Sequence, residues 1–166
     1  MLFRSAAAPS HFLAKREVER WPLIGNGARA LGTIFVCRKD RQSRADSRRE
    51  IERALVRGRR VVVFPEGTTS ADGLLPFRTG SIEAAVKAGV AVTPVAVHYS
   101  RPDAAWVGDE GFLPHFLRFF RHRGTRAWVS FGPALDEGTV EEVRDQAQRW
   151  IAAEVEKLSA QRRSDS

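Results

Sequence analysis

A carboxylate, a glycine and three hydroxyls stand together in Glu66-Gly67-Thr68-Thr69-Ser70, directly behind the apolar run Val61-Val62-Val63-Phe64 and Pro65. A carboxylate fixed beside a glycine can order backbone N–H groups around an anion, and hydroxyls add further donors. Two guanidiniums stand at places suited to the same task. Arg38 follows the β-prone run 33–37, and Arg78 precedes an amphipathic stretch that opens at Thr79. Strand ends and helix starts both hold anions well, because backbone N–H groups are unpaired there. The chemistry suggested is recognition of a phosphate or another compact anion. The plainer alternative is a loop in which Glu66 satisfies its own backbone amides, with arginines that are solvated surface charges.

The elements that must position these residues alternate in kind. Residues 61–64 read as a buried strand covered on both faces, stopped by Pro65, which has no N–H to donate. Residues 11–15 form a short extended piece, 23–31 a helix ending at Gly32, and 33–37 a β-branched strand. A basic loop spans 38–44. Residues 43–57 are a helix with Ile51, Ala54 and Leu55 on one face and Gly58 as its stop. Residues 79–88 form another, with Ile82, Ala85 and Val86 inward and Gly89 behind it. Residues 91–97 make a strand despite Pro94, which argues for an edge or an irregular ladder. A polar loop covers 98–110, and 126–131 is a strand closed by Gly132-Pro133. The strongest helix is 140–158, with a capping box of Thr139 and Glu142 and a stripe of Val143, Ala147, Trp150, Ile151, Val155 and Leu158. Such alternation is the mark of a mostly parallel α/β sheet whose ligands sit at the carboxyl ends of the strands. Residues 1–10 form a frayed start, 11–158 a single α/β domain and 159–166 a charged tail.

Phe64-Pro65-Glu66-Gly67-Thr68 resembles the FPEGT block of the lysophospholipid and glycerophosphate acyltransferases, the PlsC-type family. Companion blocks follow in the family's order. Gly32-Thr33-Ile34-Phe35-Val36-Cys37-Arg38 is similar to the second motif, Phe77-Arg78-Thr79-Gly80 to the FK.G element, and Val92-Thr93-Pro94-Val95 to the VPV strand. Phe12-Leu13-Ala14-Lys15 with Trp21-Pro22-Leu23-Ile24-Gly25 matches the segment ahead of the second motif. Several ordered blocks are far more specific than any one. The resemblance implies a glycerol-3-phosphate acyltransferase-like fold, here without its first strand, and an O-acyltransferase of phospholipid biosynthesis. It implies Arg38, Glu66, Gly67, Thr68, Arg78 and Gly80 as the binding site for the acceptor's phosphate. Its co-substrates would be an acyl thioester, of CoA or a carrier protein, and 1-acylglycerol-3-phosphate or a related lysolipid, with no other cofactor. Two departures stand out. Thr69 occupies a position where the family often has arginine, which leaves room for a lyso-amino-lipid such as an ornithine-derived one. Cys37 stands where aspartate is common.

Acyl transfer to an alcohol needs a base for the hydroxyl and donors for the developing oxyanion. In the family the base is the histidine of a His-x4-Asp motif lying ahead of the second motif. No such pair stands there, so no catalytic residue is assigned. His98 and Asp103 have the spacing, but they follow the VPV strand, and Pro102 between them suits a loop better than a helix. His11 has Arg16 at the corresponding place. His115 and His122 lie in an arginine-rich aromatic segment.

Residues 1–60 carry 15 lysines and arginines against 6 acidic residues, a surplus of 9 in a chain whose net charge is +7. That basic half, together with the phenylalanine- and arginine-rich segment 112–123, predicts peripheral contact with an anionic membrane surface. The resemblance places that contact at the cytoplasmic, inner face. No run approaches the roughly 20 apolar residues of a spanning helix. The single cysteine, Cys37, excludes an internal disulfide framework. There is no Cys pair or His/carboxylate cluster at metal-ligand spacing and no GxxxxGK[ST] or GxGxxG element. A nucleic-acid partner is not expected either: basicity alone, without a groove-binding motif, is insufficient. The alternative to an enzyme is a catalytically inactive lipid-phosphate-binding module or fragment.

Overall fold

A computed structural model describes residues 10–21, 24–36, 41–70, 73–101, 114–115, 118, 121 and 124–164. The parallel part runs β1 (Ser10–Lys15), a 3-10 turn (Arg16–Arg20), α1 (Ile24–Ala30), β2 (Ile34–Val36), α2 (Arg41–Val56) and β3 (Arg60–Val62). The order is β2-β1-β3, all parallel, with Leu13 opposite Ile34 and Phe12 opposite Val62. The weakly patterned piece 11–15 is therefore the middle strand, because it is paired on both sides.

The valine run departs from its expected bounds. β3 begins at Arg60 and ends at Val62; Val61 and Val62 are buried, but Phe64 is 66% exposed. The chain turns at Pro65, which takes Phe64 out of the ladder before a second layer can cover it. Helix α2 starts two residues before the expected Ser43 and buries Ile51, Ala54 and Leu55 as its periodicity predicts. The expected stop at Gly58 is a Schellman closure. Gly58 N–H donates to the Leu55 carbonyl and Arg59 N–H to that of Ala54. The same pair of bonds closes the helices at Gly32 and Gly89.

Helix α3 (Gly80–Lys87) buries Ile82, Ala84 and Ala85. Val86, expected inward, is 36% exposed, and Ala84 takes its place because α3 meets both α2 and the C-terminal helix Val140–Ser164. Arg48 of α2 reaches Glu83 of α3 at 2.8 Å. Lys87 first, and Arg48 after it, hold the Glu83 carboxyl below its ordinary value.

The strand expected over 91–97 is shifted. Val92 keeps a single bridge to Leu135, and buried Pro94 offers only its carbonyl, which accepts from Gly132 N–H at 2.9 Å. β4 is Val95–Tyr99, so His98 belongs to a strand and not to the polar loop. It pairs antiparallel with β5 (Ala127–Phe131), Val97 facing Val129, in a two-stranded ribbon that forms its own sheet. Helix α4 (Val140–Ser164) runs on through residues read as the charged tail. Its capping box is complete: Thr139 N–H donates to the Glu142 carboxylate at 2.7 Å, and Glu142 N–H to Thr139 Oγ1 at 3.3 Å. The backbone bond first, then the hydroxyl, keep the Glu142 carboxyl below its ordinary value. Ile34, Ile51, Leu55, Val61, Ile82, Val92 and Val143 share one core, in which α2, α3 and α4 form a helix layer against the strands. Phe112, Phe116 and Phe120 lie outside the described residues.

Candidate functional site

Because β1, β2 and β3 are parallel, their carboxyl ends share one edge, and the loop after β3 starts there. Pro65, with its preset φ, occupies the second position of a turn in which Gly67 N–H donates to the Phe64 carbonyl at 3.1 Å. Gly67 has φ 79°, a left-handed conformation that side chains with a β-carbon resist. The Glu66 carboxylate then reaches across the loop and accepts the Leu75 N–H at 2.8 Å. The Pro65 carbonyl accepts Arg78 N–H at 2.9 Å, so the loop's two ends are tied together. Phe77 is buried, and its N–H donates to Gln148 Oε1 on α4 at 3.1 Å.

This stitching decides where the expected site residues lie. Glu66, Gly67 and Arg78 are brought to one place, and Gly80 opens α3 two residues further on. Thr68 and Arg78 are exposed beside the buried Gly67. With Phe77 pinned on one side and α3 starting on the other, the Arg78 guanidinium is directed outward. Glu66 takes the plainer of the two roles foreseen for it: one carboxylate oxygen accepts a backbone amide of its own loop, and that bond shapes the stretch that carries Gly67 and Thr68. Arg38 lies outside the described residues, as does Asp103; β2 ends at Val36, two residues short of Arg38.

Gln148 was not foreseen. It sits one residue off the apolar stripe of α4, and the only sequence signal was a polar residue beside Ala147 on a helix that packs inward.

The three described histidines lie elsewhere, and His122 is outside the described residues. His98 points to the α4 side of the ribbon, its ring 6.1 Å from that of Trp128. Burial, then the Arg162 guanidinium, push its imidazole below the ordinary value, and buried Nε2 has no hydrogen-bond partner among the described residues. His115 is buried and meets Arg118, whose Nη2 lies 3.3 Å from its Nδ1. His11 lies at the opposite, amino edge of the sheet, bonded to Gly32 and Arg59.

Residues 1–98 match the family model described as Acyltransferase. The chain belongs to the acyltransferase family. It is 38% identical over 82% of its length to the lyso-ornithine lipid O-acyltransferase of Rhizobium meliloti (strain 1021), covering 53% of that protein. To the enzyme of the same name from Pseudomonas aeruginosa it is 43% identical over 70% of its length, covering 47%. The 1-acyl-sn-glycerol-3-phosphate acyltransferase of Neisseria gonorrhoeae is 38% identical over 63% of the chain. The crystal structure of the 1-acyl-sn-glycerophosphate acyltransferase PlsC from Thermotoga maritima superposes with a TM-score of 0.63 at 27% identity, over 92% of this chain and 58% of that one. This acyltransferase-family chain thus spans about half the length of the curated relatives it matches, and it shares the α/β fold of PlsC. No helix among the described residues is long and apolar enough to cross a membrane.

Proposed function

We propose that the chain provides the acceptor-binding part of an O-acyltransferase of phospholipid biosynthesis. Such an enzyme moves a fatty acyl group from a CoA or carrier-protein thioester to the sn-2 hydroxyl of 1-acylglycerol-3-phosphate or a related lysolipid. The observation that carries this reading is the loop after β3, where Glu66 and the Pro65–Arg78 backbone bond gather Gly67, Thr68 and Arg78 at the carboxyl edge of the sheet. The reaction needs the acceptor's anionic group, a phosphate in 1-acylglycerol-3-phosphate or a carboxylate in a lyso-ornithine lipid, held while its hydroxyl is freed to attack the thioester carbonyl. An exposed guanidinium beside backbone and hydroxyl donors suits the first task. The names borne by the relatives leave two acceptors in view, and a lyso-ornithine lipid fits a site with Thr69 in place of arginine.

Calorimetric titration tests the phosphate role. Lysophosphatidic acid or glycerol 3-phosphate is expected to bind, and Arg78→Ala to weaken binding by roughly ten- to a hundredfold, since a charge-assisted contact is lost. The melting temperature should not change, because Arg78 is exposed and its backbone bond survives. Equal binding by both proteins removes Arg78 from the site.

Contact with the inner face of a membrane belongs to the same proposal, supported by the basic surplus of residues 1–60. Sedimentation with anionic liposomes but not with neutral ones is the expected result. Equal sedimentation with both, or with neither, rejects it.

A further inference from the structure

At the amino edge of the parallel sheet, opposite the loop just described, one imidazole joins three segments. His11 of β1 bonds through Nδ1 to the carbonyl of Gly32, in the turn before β2, and Arg59 Nη1 lies 2.8 Å from its Nε2. A guanidinium only donates, so Nε2 is the acceptor and the proton sits on Nδ1. Gly32 is required at its place, with φ 71°, because a β-carbon there would collide with the imidazole. Arg59 is thereby held at the mouth of a groove of about 430 Å3 lined by His11, Thr33, Glu50, Arg53, Arg57 and Arg59.

The charges in this groove are unbalanced. Arg53 and Arg57 stand one helical turn apart, a repulsive spacing, and neither forms an ion pair among the described residues. Among the described residues Arg59 meets the accepting Nε2 of His11, and Glu50 is the single carboxylate of the lining. Three guanidiniums converging on a partly enclosed space focus a positive potential into it. Their planar forks match the oxygens of a phosphate. Two large aliphatic residues adjacent in the chain to lining residues are bare: Leu31, next to Gly32, is 65% exposed, and Val56, next to Arg57, 70%. Val56 adjoins a neighbouring hollow that it lines with Arg49, Glu52, Arg53 and Arg57.

The geometry points to a second anion site here, formed by Arg53, Arg57 and Arg59, with His11 as the residue that positions Arg59. Its ligand carries a phosphate monoester or phosphodiester on an apolar body, as a lipid headgroup does, or is a free phosphate compound. It is separate from the loop after β3 and does not depend on the function proposed for that loop.

A 15N-labelled chain titrated with inorganic phosphate, and separately with glycerol 3-phosphate, provides the test. The amides of Gly32, Thr33, Gly58 and Arg59 are expected to shift saturably. Arg53→Gln combined with Arg57→Gln should weaken that response by about tenfold or more. The Gly67 and Gly80 amides should respond as before. Arg78→Ala should do the reverse, which separates failure of one site from failure of the other. The idea is overturned if the amino-edge amides show no saturable shift, if sodium chloride at matched ionic strength shifts them equally, or if the double variant binds as tightly as the parent. Sedimentation with phosphatidylglycerol vesicles identifies the source. Weaker sedimentation of the double variant assigns lipid headgroups, and unchanged sedimentation with weakened soluble binding assigns free phosphate compounds; either outcome sustains the site.

Discussion

Mixed with an acyl thioester and lysophosphatidic acid, the 166-residue chain is expected to turn over about 10²–10⁴-fold more slowly than a family enzyme with its acid–base pair in place, or more slowly still. The acceptor hydroxyl is a poor nucleophile until a base takes its proton. The family assigns that task to a His-x4-Asp histidine, and among the four histidines of the chain only His98 has an aspartate at that spacing. Its ring lies against Trp128 on the α4 side of the β4–β5 ribbon, with Nε2 buried. His11 is locked between Gly32 and Arg59 at the far edge of the parallel sheet. A purified chain assayed with and without His98→Ala tests this. Robust turnover that His98→Ala abolishes would show that His98, on the ribbon, is the base that takes the hydroxyl proton.

Gly67→Val is expected to reduce both stability and binding, in contrast to Arg78→Ala. At φ 79° a β-branched side chain is strained by about 1–3 kcal/mol. For a domain of this size each kcal/mol moves the melting temperature by roughly 2–4 °C, so a fall of several degrees is expected. Binding should fall as well, because the turn that orders Glu66 and Thr68 depends on Gly67 N–H reaching the Phe64 carbonyl. A thermal melt beside the lysophosphatidic acid titration reads both quantities. A variant that melts like the parent would show that the turn tolerates a side chain and that its geometry is not what holds the ligand.

These two expectations draw on different layers of information. The order of the motif blocks and the alternation of apolar runs with amphipathic ones were legible along the chain, because both are local. The Thr139–Glu142 capping box, the stops at Gly32, Gly58 and Gly89, and the buried face of α2 each depend on residues within a few positions of one another. Glu66, Gly67 and Arg78 could also be named, since their types fit an anion site wherever the loop might lie. Their mutual placement could not. It rests on the Leu75 amide, on the Pro65–Arg78 bond and on Gln148, 71 residues from Phe77. The reading failed where neighbours in space override local preference. The short piece around Phe12 became the middle strand because it is paired on both sides, while Phe64 left the ladder because the turn at Pro65 turned it outward. Val86 yielded its inward place to Ala84 because α3 packs between two helices, and His98 entered a strand because β5, nearly thirty residues later, offered it an antiparallel partner. Local chemistry along the chain determined which residues could bind an anion and which segments would be helix or strand. Only tertiary pairing decided which edge of the sheet each came to occupy, because strand order and helix packing depend on contacts between residues far apart in the chain.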